Sequence, residues 1–211
     1  MRRFSFFASV GISWILSAAF LVLVLWVEYN FYVALPAILL MMFMMRFYYD
    51  PDRELPSYPL GIMSPVDGVV QSVELMHDPF LERPCQRIRI KSDFLGVYHG
   101  RSPTEGKIVE YWPSLSTDKQ EYTRENTRSV WWIQTDEHDD VIIVVTGDFK
   151  FGGTRCFVHA GERVGQARRC GRFPTNSTID LLIDEKSYID AVEGQRVIAG
   201  VDRLATFNHE Q

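Results

Sequence analysis

Ser64-Pro-Val-Asp-Gly-Val-Val70 comes back in the same chain as Ser102-Pro-Thr-Glu-Gly-Lys-Ile-Val109, and Gly161-Glu-Arg-Val164 comes back as Gly194-Gln-Arg-Val197. In each Ser-Pro-x-acid-Gly element proline fixes φ, the acid can bond neighbouring backbone N–H groups, and glycine permits φ > 0. Both copies therefore read as tight turns that lead into strands. Their recurrence implies two similar half-units. Around them lie short β-branched runs broken by turn residues: Gly68–Val73, Gln86–Ile90, Ser129–Ile133, Val141–Val145 and Thr178–Ile183. No long helical periodicity competes with these runs. The expected fold is mainly β, a compact barrel or sandwich.

Upstream the sequence changes character. Between Arg3 and Glu28 no residue is charged, and Phe4 to Val27 would be about 36 Å long as a helix, enough to cross a hydrocarbon core. The run is too long for a cleaved signal peptide and ends in Leu-Trp-Val-Glu rather than in small residues. A second uncharged stretch, Tyr29 to Met45, reaches about 25 Å and contains Pro36; Phe47, Tyr48 and Tyr49 extend it as an interfacial aromatic belt. The expected anchor is a transmembrane helical hairpin over residues 1–48, with spans at about 4–27 and 29–48. Residues 49–60 hold three prolines and four charges, which suits an extended linker before a domain over 61–211. Arg2 and Arg3 precede the first span, Arg46 follows the second, and the connecting turn holds only Glu28. The positive-inside rule then puts both termini and the domain on the cytoplasmic side of the inner membrane.

Composition limits the function. Arg2, Arg3 and Arg46 against Glu28 make residues 1–48 net +2; with the whole chain at −5, the remainder carries −7. An acidic domain without a basic stripe is a poor partner for nucleic acid. Cys85, Cys156 and Cys170 are odd in number, lack CxxC spacing and make no disulfide framework. His77, His99, His138, His159 and His209 lack the paired spacing of a zinc site, so no metal is expected. There is no GxSxG elbow, phosphate loop or Rossmann fingerprint. Thr117-Asp118-Lys119 is faintly like the lysine turn of lipoyl carriers, and the repeated Gly-x-x-Val strands suit lipoyl-like half-units. The flanks, Ser114-Leu-Ser-Thr117 and Gln120-Glu-Tyr-Thr123, are polar and show no strand pattern, so Lys119 reads as a solvated loop residue.

Arg172-Phe-Pro-Thr-Asn-Ser-Thr-Ile-Asp-Leu-Leu-Ile183 puts Ser177 at the edge of a strand after a proline turn. Asn176-Ser177-Thr178 is formally a glycosylation sequon, which a cytoplasmic domain would not present to that machinery. Taken in order, these pieces resemble the short, membrane-anchored phosphatidylserine decarboxylases, a pyruvoyl-dependent enzyme family. Phe47-Tyr-Tyr-Asp-Pro-Asp-Arg-Glu-Leu-Pro56 is similar to the family's aromatic-rich Asp-Pro-x-Arg-x-x-Pro segment. Ser64-Pro-Val-Asp-Gly68 matches its Ser-Pro-Ala-Asp-Gly element except at Val66, and Arg101-Ser-Pro-x-x-Gly-Lys-Ile108 follows in place. Gly161 to Ile183 then aligns without a gap on the family's cleavage region, which sets Ser177 on the self-processing serine and Asp180 on the aspartate three residues later.

The resemblance implies self-cleavage at Asn176–Ser177 into chains 1–176 and 177–211, with Ser177 becoming a pyruvoyl group. That ketone condenses with the substrate amine and takes up electrons as CO₂ leaves, turning phosphatidylserine in the membrane into phosphatidylethanolamine. Asp67 is implied to orient a histidine in the acid/base apparatus. Two positions depart from the family. Asn176 stands where glycine is usual, and the active histidine's place falls on Tyr98, with His99 next to it. His99 could serve as the base only through a bulge or a shifted register, because neighbouring strand side chains face opposite ways. Arg124 and Arg128 could meet a phosphate or belong to a solvated loop. Two rival readings stay open: an uncleaved, non-catalytic relative that binds phospholipid or a membrane partner, and a pyruvoyl enzyme for another amino-lipid or an amino acid.

Overall fold

The structure, a computed structural model, describes residues 9–51, 53, 56, 58–94, 96–97, 99–115, 127–147, 154–174 and 176–209. The chain falls into two compact units, Met1–Asp52 and Arg53–Gln211. Lys119, Tyr98 and Arg124 lie outside the described residues.

The first unit holds two consecutive apolar helices, α1 (Ser9–Glu28) and α2 (Phe31–Phe47). Within α1, Gly11–Glu28 has a mean hydropathy of 2.0 and is long and apolar enough to cross a membrane. Its large side chains, among them Trp14, Leu16, Phe20 and Trp26, are exposed. Asn30 caps α2, its side chain accepting from Val33 N–H at 3.0 Å. At 17 residues with Pro36 inside, α2 is shorter than a usual span. The helices pack closely where a side chain at Gly11 would run into the ring of Tyr48.

Fourteen strands appear among the described residues of the second unit. In chain order they are β1 (Gly61–Met63), β2 (Gly68–Asp78), β3 (Arg83–Ser92), β4 (Gly100–Arg101), β5 (Gly106–Leu115), β6 (Thr127–Gln134) and β7 (Asp140–Gly147). These are followed by β8 (Arg155–Cys156), β9 (Arg163–Val164), β10 (Arg169–Arg172), β11 (Thr178–Asp184), β12 (Tyr188–Ile189), β13 (Arg196–Val197) and β14 (Arg203–Thr206). They form one eight-stranded sheet, β13-β2-β3-β11-β7-β6-β5-β9, and two small sheets, β1-β14-β12 and β4-β10-β8. The fold is mainly β, as the sequence implies.

The two half-units are nested rather than tandem. In the large sheet β13-β2-β3-β11 answers β9-β5-β6-β7, and β1-β14-β12 answers β4-β10-β8. One half is continuous, from Gly100 to Arg172; the other is assembled around it from residues on either side. Equivalent residues make equivalent bonds. Ser64 Oγ donates to Val66 O and Ser102 Oγ to Thr104 O, both at 2.7 Å. Gly194 N–H donates to Val70 O at 2.8 Å, and Gly161 N–H to Ile108 O at 2.7 Å. The glycines of the two Ser-Pro-x-acid-Gly elements share a cause: a Cβ on Gly68 would sit 2.1 Å from Lys91 O, and one on Gly106 2.3 Å from Gln134 O. Both long strands bulge at matching places, after Val70 in β2 and after Ile108 in β5.

The middle strands β11 and β7 are buried on both faces. Val141, Ile143, Val145, Ile179, Leu181 and Ile183 join the main core, whereas Ile142, Val144 and Leu182 join a second cluster with Cys85 and Val130. This explains why Val141–Val145 is an unbroken apolar run rather than an alternating one. One reading is corrected: Ser114 and Leu115, taken from their polar neighbourhood as loop, close β5, where Leu115 pairs with Arg128 of β6.

Candidate active site

The connection from β10 to β11 carries Ser177, and its entry is fixed by an aromatic anchor. Phe173 packs against the fully buried Trp131, ring centroids 4.9 Å apart. It lies so close to Gly100 that a Cβ there would come within 2.4 Å of the ring. The chain then turns back, and Ser177 Oγ donates to Pro174 O at 2.6 Å. Asn176 takes the left-handed conformation, φ +58°, a region that asparagine enters more readily than most residues with a side chain. Ser177 itself is 1% exposed.

Two residues that the sequence did not single out hold this corner from β3. Ser92 N–H donates to Ser177 O at 2.9 Å, Ser177 N–H donates to Ser92 Oγ at 2.9 Å, and the two hydroxyl oxygens lie 3.3 Å apart. Lys91 Nζ donates to Asn176 O at 2.7 Å, the carbonyl of the Asn176–Ser177 peptide bond. The pairing of Lys91 with Thr178 in the β3–β11 ladder sets both contacts. The signal for them was the strand Gln86–Ile90 running on into Lys91-Ser92, but nothing local reveals its partner. Further along the ladder Asp180, 2% exposed, receives Arg89 Nε at 2.7 Å and Arg89 Nη2 at 2.9 Å.

Asp67 stands on the turn before β2. Arg53 grips both its oxygens, at 2.6 and 2.8 Å, and Ala199 N–H donates to one of them at 2.8 Å. Burial pushes the Asp67 carboxyl up, but the Arg53 hydrogen bonds, the Ala199 and Val97 amides and the Arg53 charge outweigh it and hold the group below its ordinary value. The structure thus pairs Asp67 with arginine from the supposed linker, and His99 is not among its partners. His99 instead meets Phe157 edge-on, ring centroids 5.4 Å apart, and Ser177 bonds to Pro174 and Ser92 rather than to it. Asp67, Ser92, Phe173 and Pro174 nevertheless line one small crevice, together with Val66, Asp93, Gly96 and Val97. Of the two residues that the sequence brings forward, Asp67 lines that crevice, whereas Ser177 reaches it only through its bonds to the lining residues Ser92 and Pro174. Among the described residues no group of three or more His, Cys, Asp or Glu is arranged to hold a metal ion.

A family model described as phosphatidylserine decarboxylase matches residues 40–205, which spans Arg53, Asp67, the β3 clamp and Ser177. The chain belongs to the phosphatidylserine decarboxylase family. It is 31% identical over 202 residues to a phosphatidylserine decarboxylase proenzyme of Burkholderia vietnamiensis (strain G4 / LMG 22486), covering 94% of each chain. It is 29% identical over 179 residues to the corresponding proenzyme of Nitrosomonas europaea (strain ATCC 19718 / CIP 103999 / KCTC 2705 / NBRC 14298), covering 83% of each. No solved structure matches the chain. Membership in this decarboxylase family makes the protein a carboxy-lyase, and the buried serine after a left-handed Asn176 occupies the stretch that the family match covers.

Proposed function

We propose that the chain cuts itself between Asn176 and Ser177 and that the processed protein decarboxylates phosphatidylserine to phosphatidylethanolamine. The observation that carries this reading is Asn176 at φ +58° immediately before the buried Ser177. Glycine adopts that conformation freely and asparagine tolerates it, so the exchange of residue leaves the backbone shape available. Ser177 Oγ attacks the Asn176 carbonyl carbon, the C–N bond breaks, and the hydroxyl proton ends on the freed Ser177 nitrogen. Elimination then loses the Ser177 Cα proton to solvent, cuts Cβ–Oγ and releases Asn176 as a carboxylate, and the dehydroalanine left behind hydrolyses with loss of ammonia to the pyruvoyl group. The products are chains 1–176 and 177–211.

The residues present suit that group. Residue 177 stands just before β11 with its backbone held by Ser92, and Phe173, Pro174 and Ser92 wall the adjoining crevice. The pyruvoyl group supplies an electron sink as CO₂ departs. Asp67, whose carboxylate Arg53 favours, lines the crevice beside Asp93 as a fixed negative charge. The apolar α1, with α2 beside it, suits an anchor that keeps the site at the inner membrane where a phospholipid headgroup lies, and the basic flanks favour a cytoplasmic β unit and cytoplasmic termini.

Intact mass spectrometry of the purified full chain beside Ser177→Ala tests the cut. Two fragments parting after Asn176, the smaller with a blocked N-terminus and both absent in the variant, are expected, together with CO₂ release from phosphatidylserine vesicles. A single uncut chain of 24.4 kDa would overturn the reading. It would favour instead the uncleaved phospholipid-binding relative, whose supporting observation is the Arg53–Asp67 pair where a histidine partner was expected. Cleavage without CO₂ release from phosphatidylserine would point to a pyruvoyl enzyme for another amino-lipid.

A further inference from the structure

We infer that Lys91 is a catalytic residue of the self-cleavage, stabilising the negative charge that develops on the Asn176 carbonyl oxygen; this rests on the processing reaction proposed above. Its ammonium donates to that oxygen at 2.7 Å before any reaction occurs. The distance is that of a charge-assisted hydrogen bond.

Attack by Ser177 Oγ turns the Asn176 carbonyl carbon tetrahedral and leaves its oxygen as an oxyanion. Donors already aimed at such an atom lower the barrier because they need no reorganisation as charge appears. The same oxygen carries charge a second time, when elimination breaks the Ser177 Cβ–Oγ bond and the Asn176 carboxylate departs. One ammonium on one oxygen therefore serves both bond-breaking steps. Lys91 gives up no proton in either; it contributes charge.

The fold holds this contact from several sides. Lys91 is the β3 residue paired with Thr178, and its neighbour Ser92 holds Ser177 N, O and Oγ. The close passage of Gly68 over Lys91 O pins the strand's backbone from the β2 side. The left-handed turn at Asn176 completes the corner in which its carbonyl oxygen meets the lysine.

Cleavage is followed by intact mass over time in freshly made full-length protein, for wild type, Lys91→Met, Lys91→Gln, Lys91→Arg and Ser177→Ala, with a thermal melt of each. The expected result is a fall in cleavage rate of about a hundredfold for Lys91→Met and Lys91→Gln, the usual effect of removing one oxyanion donor, with partial recovery in Lys91→Arg and unchanged melts. Hydroxylamine, which intercepts the ester formed by the Ser177 attack, should release correspondingly less fragment from Lys91→Met. Wild-type rates in folded Lys91→Met or Lys91→Gln would overturn the role of Lys91 while leaving self-cleavage intact. An uncut wild type would remove both.

Discussion

Arg53 lies in a Pro- and charge-rich stretch that reads as linker, yet its guanidinium closes on Asp67 with both partners less than a fifth exposed, 18% and 17%. Because the folded Asp67 carboxyl sits below its ordinary value of 3.8, the pair adds stability that is fully present above that value and is lost as pH falls through the lowered one. Arg53→Gln removes the guanidinium and leaves a mostly buried carboxylate with only backbone amides. We expect a loss of about 1.5–3 kcal/mol near neutral pH, shrinking as pH falls below 3.8 but not vanishing, because Arg53 also donates to Ala199 O at 3.0 Å, read as urea midpoints from neutrality into acid. An equal loss at every pH would mean that Arg53 acts by packing alone. Asp67 and Ser177 were legible because each sits in a local motif. Lys91, Ser92 and Arg53 were not, because their roles depend on partners far away in the sequence, such as the Lys91–Thr178 register.

All five strand runs named from the sequence lie within observed strands, but several were read too short. The β2 strand continues to Asp78 and β3 starts at Arg83, with alternating charged residues such as Arg87 and Arg89 that weaken an apolar signal yet bond across the sheet to Glu74 and Asp180. The second Ser-Pro-x-acid-Gly element implies the start of β5 but not its length, because Glu110 and Pro113 interrupt the pattern; its bulge after Ile108 shifts register where the motif's first copy does. Strand β11 is the element on which both core clusters and the Ser177 corner converge. Leu181→Ala, at 0% exposure in its centre, should lower unfolding stability by about 2–5 kcal/mol. Leu75→Ala on β2, 75% exposed, should stay within about 0.5 kcal/mol in the same chemical denaturation.

The repeated Ser-Pro-x-acid-Gly elements revealed the duplication, but not that one copy is inserted into the other, since sequence order alone does not say which strands pair. Nesting makes the proposed cut harmless to the fold. Fragment 177–211 would supply β11, β12, β13 and β14, three of them hydrogen-bonded directly to strands of 1–176. The two chains should therefore elute together in native size exclusion and part only in denaturant; separation under native conditions would contradict this interlock. The same nesting sets an order of events during synthesis. The inner half leaves the ribosome whole, whereas the outer half stays open until β13 and β14 have emerged, and only then can Ala199 reach Asp67. The proposed maturation would thereby be tied to translation: a nascent chain halted short of the last strands has no β13 beside β2 and no Ala199 amide on Asp67, so the Asp67 side of the site would be left unfinished.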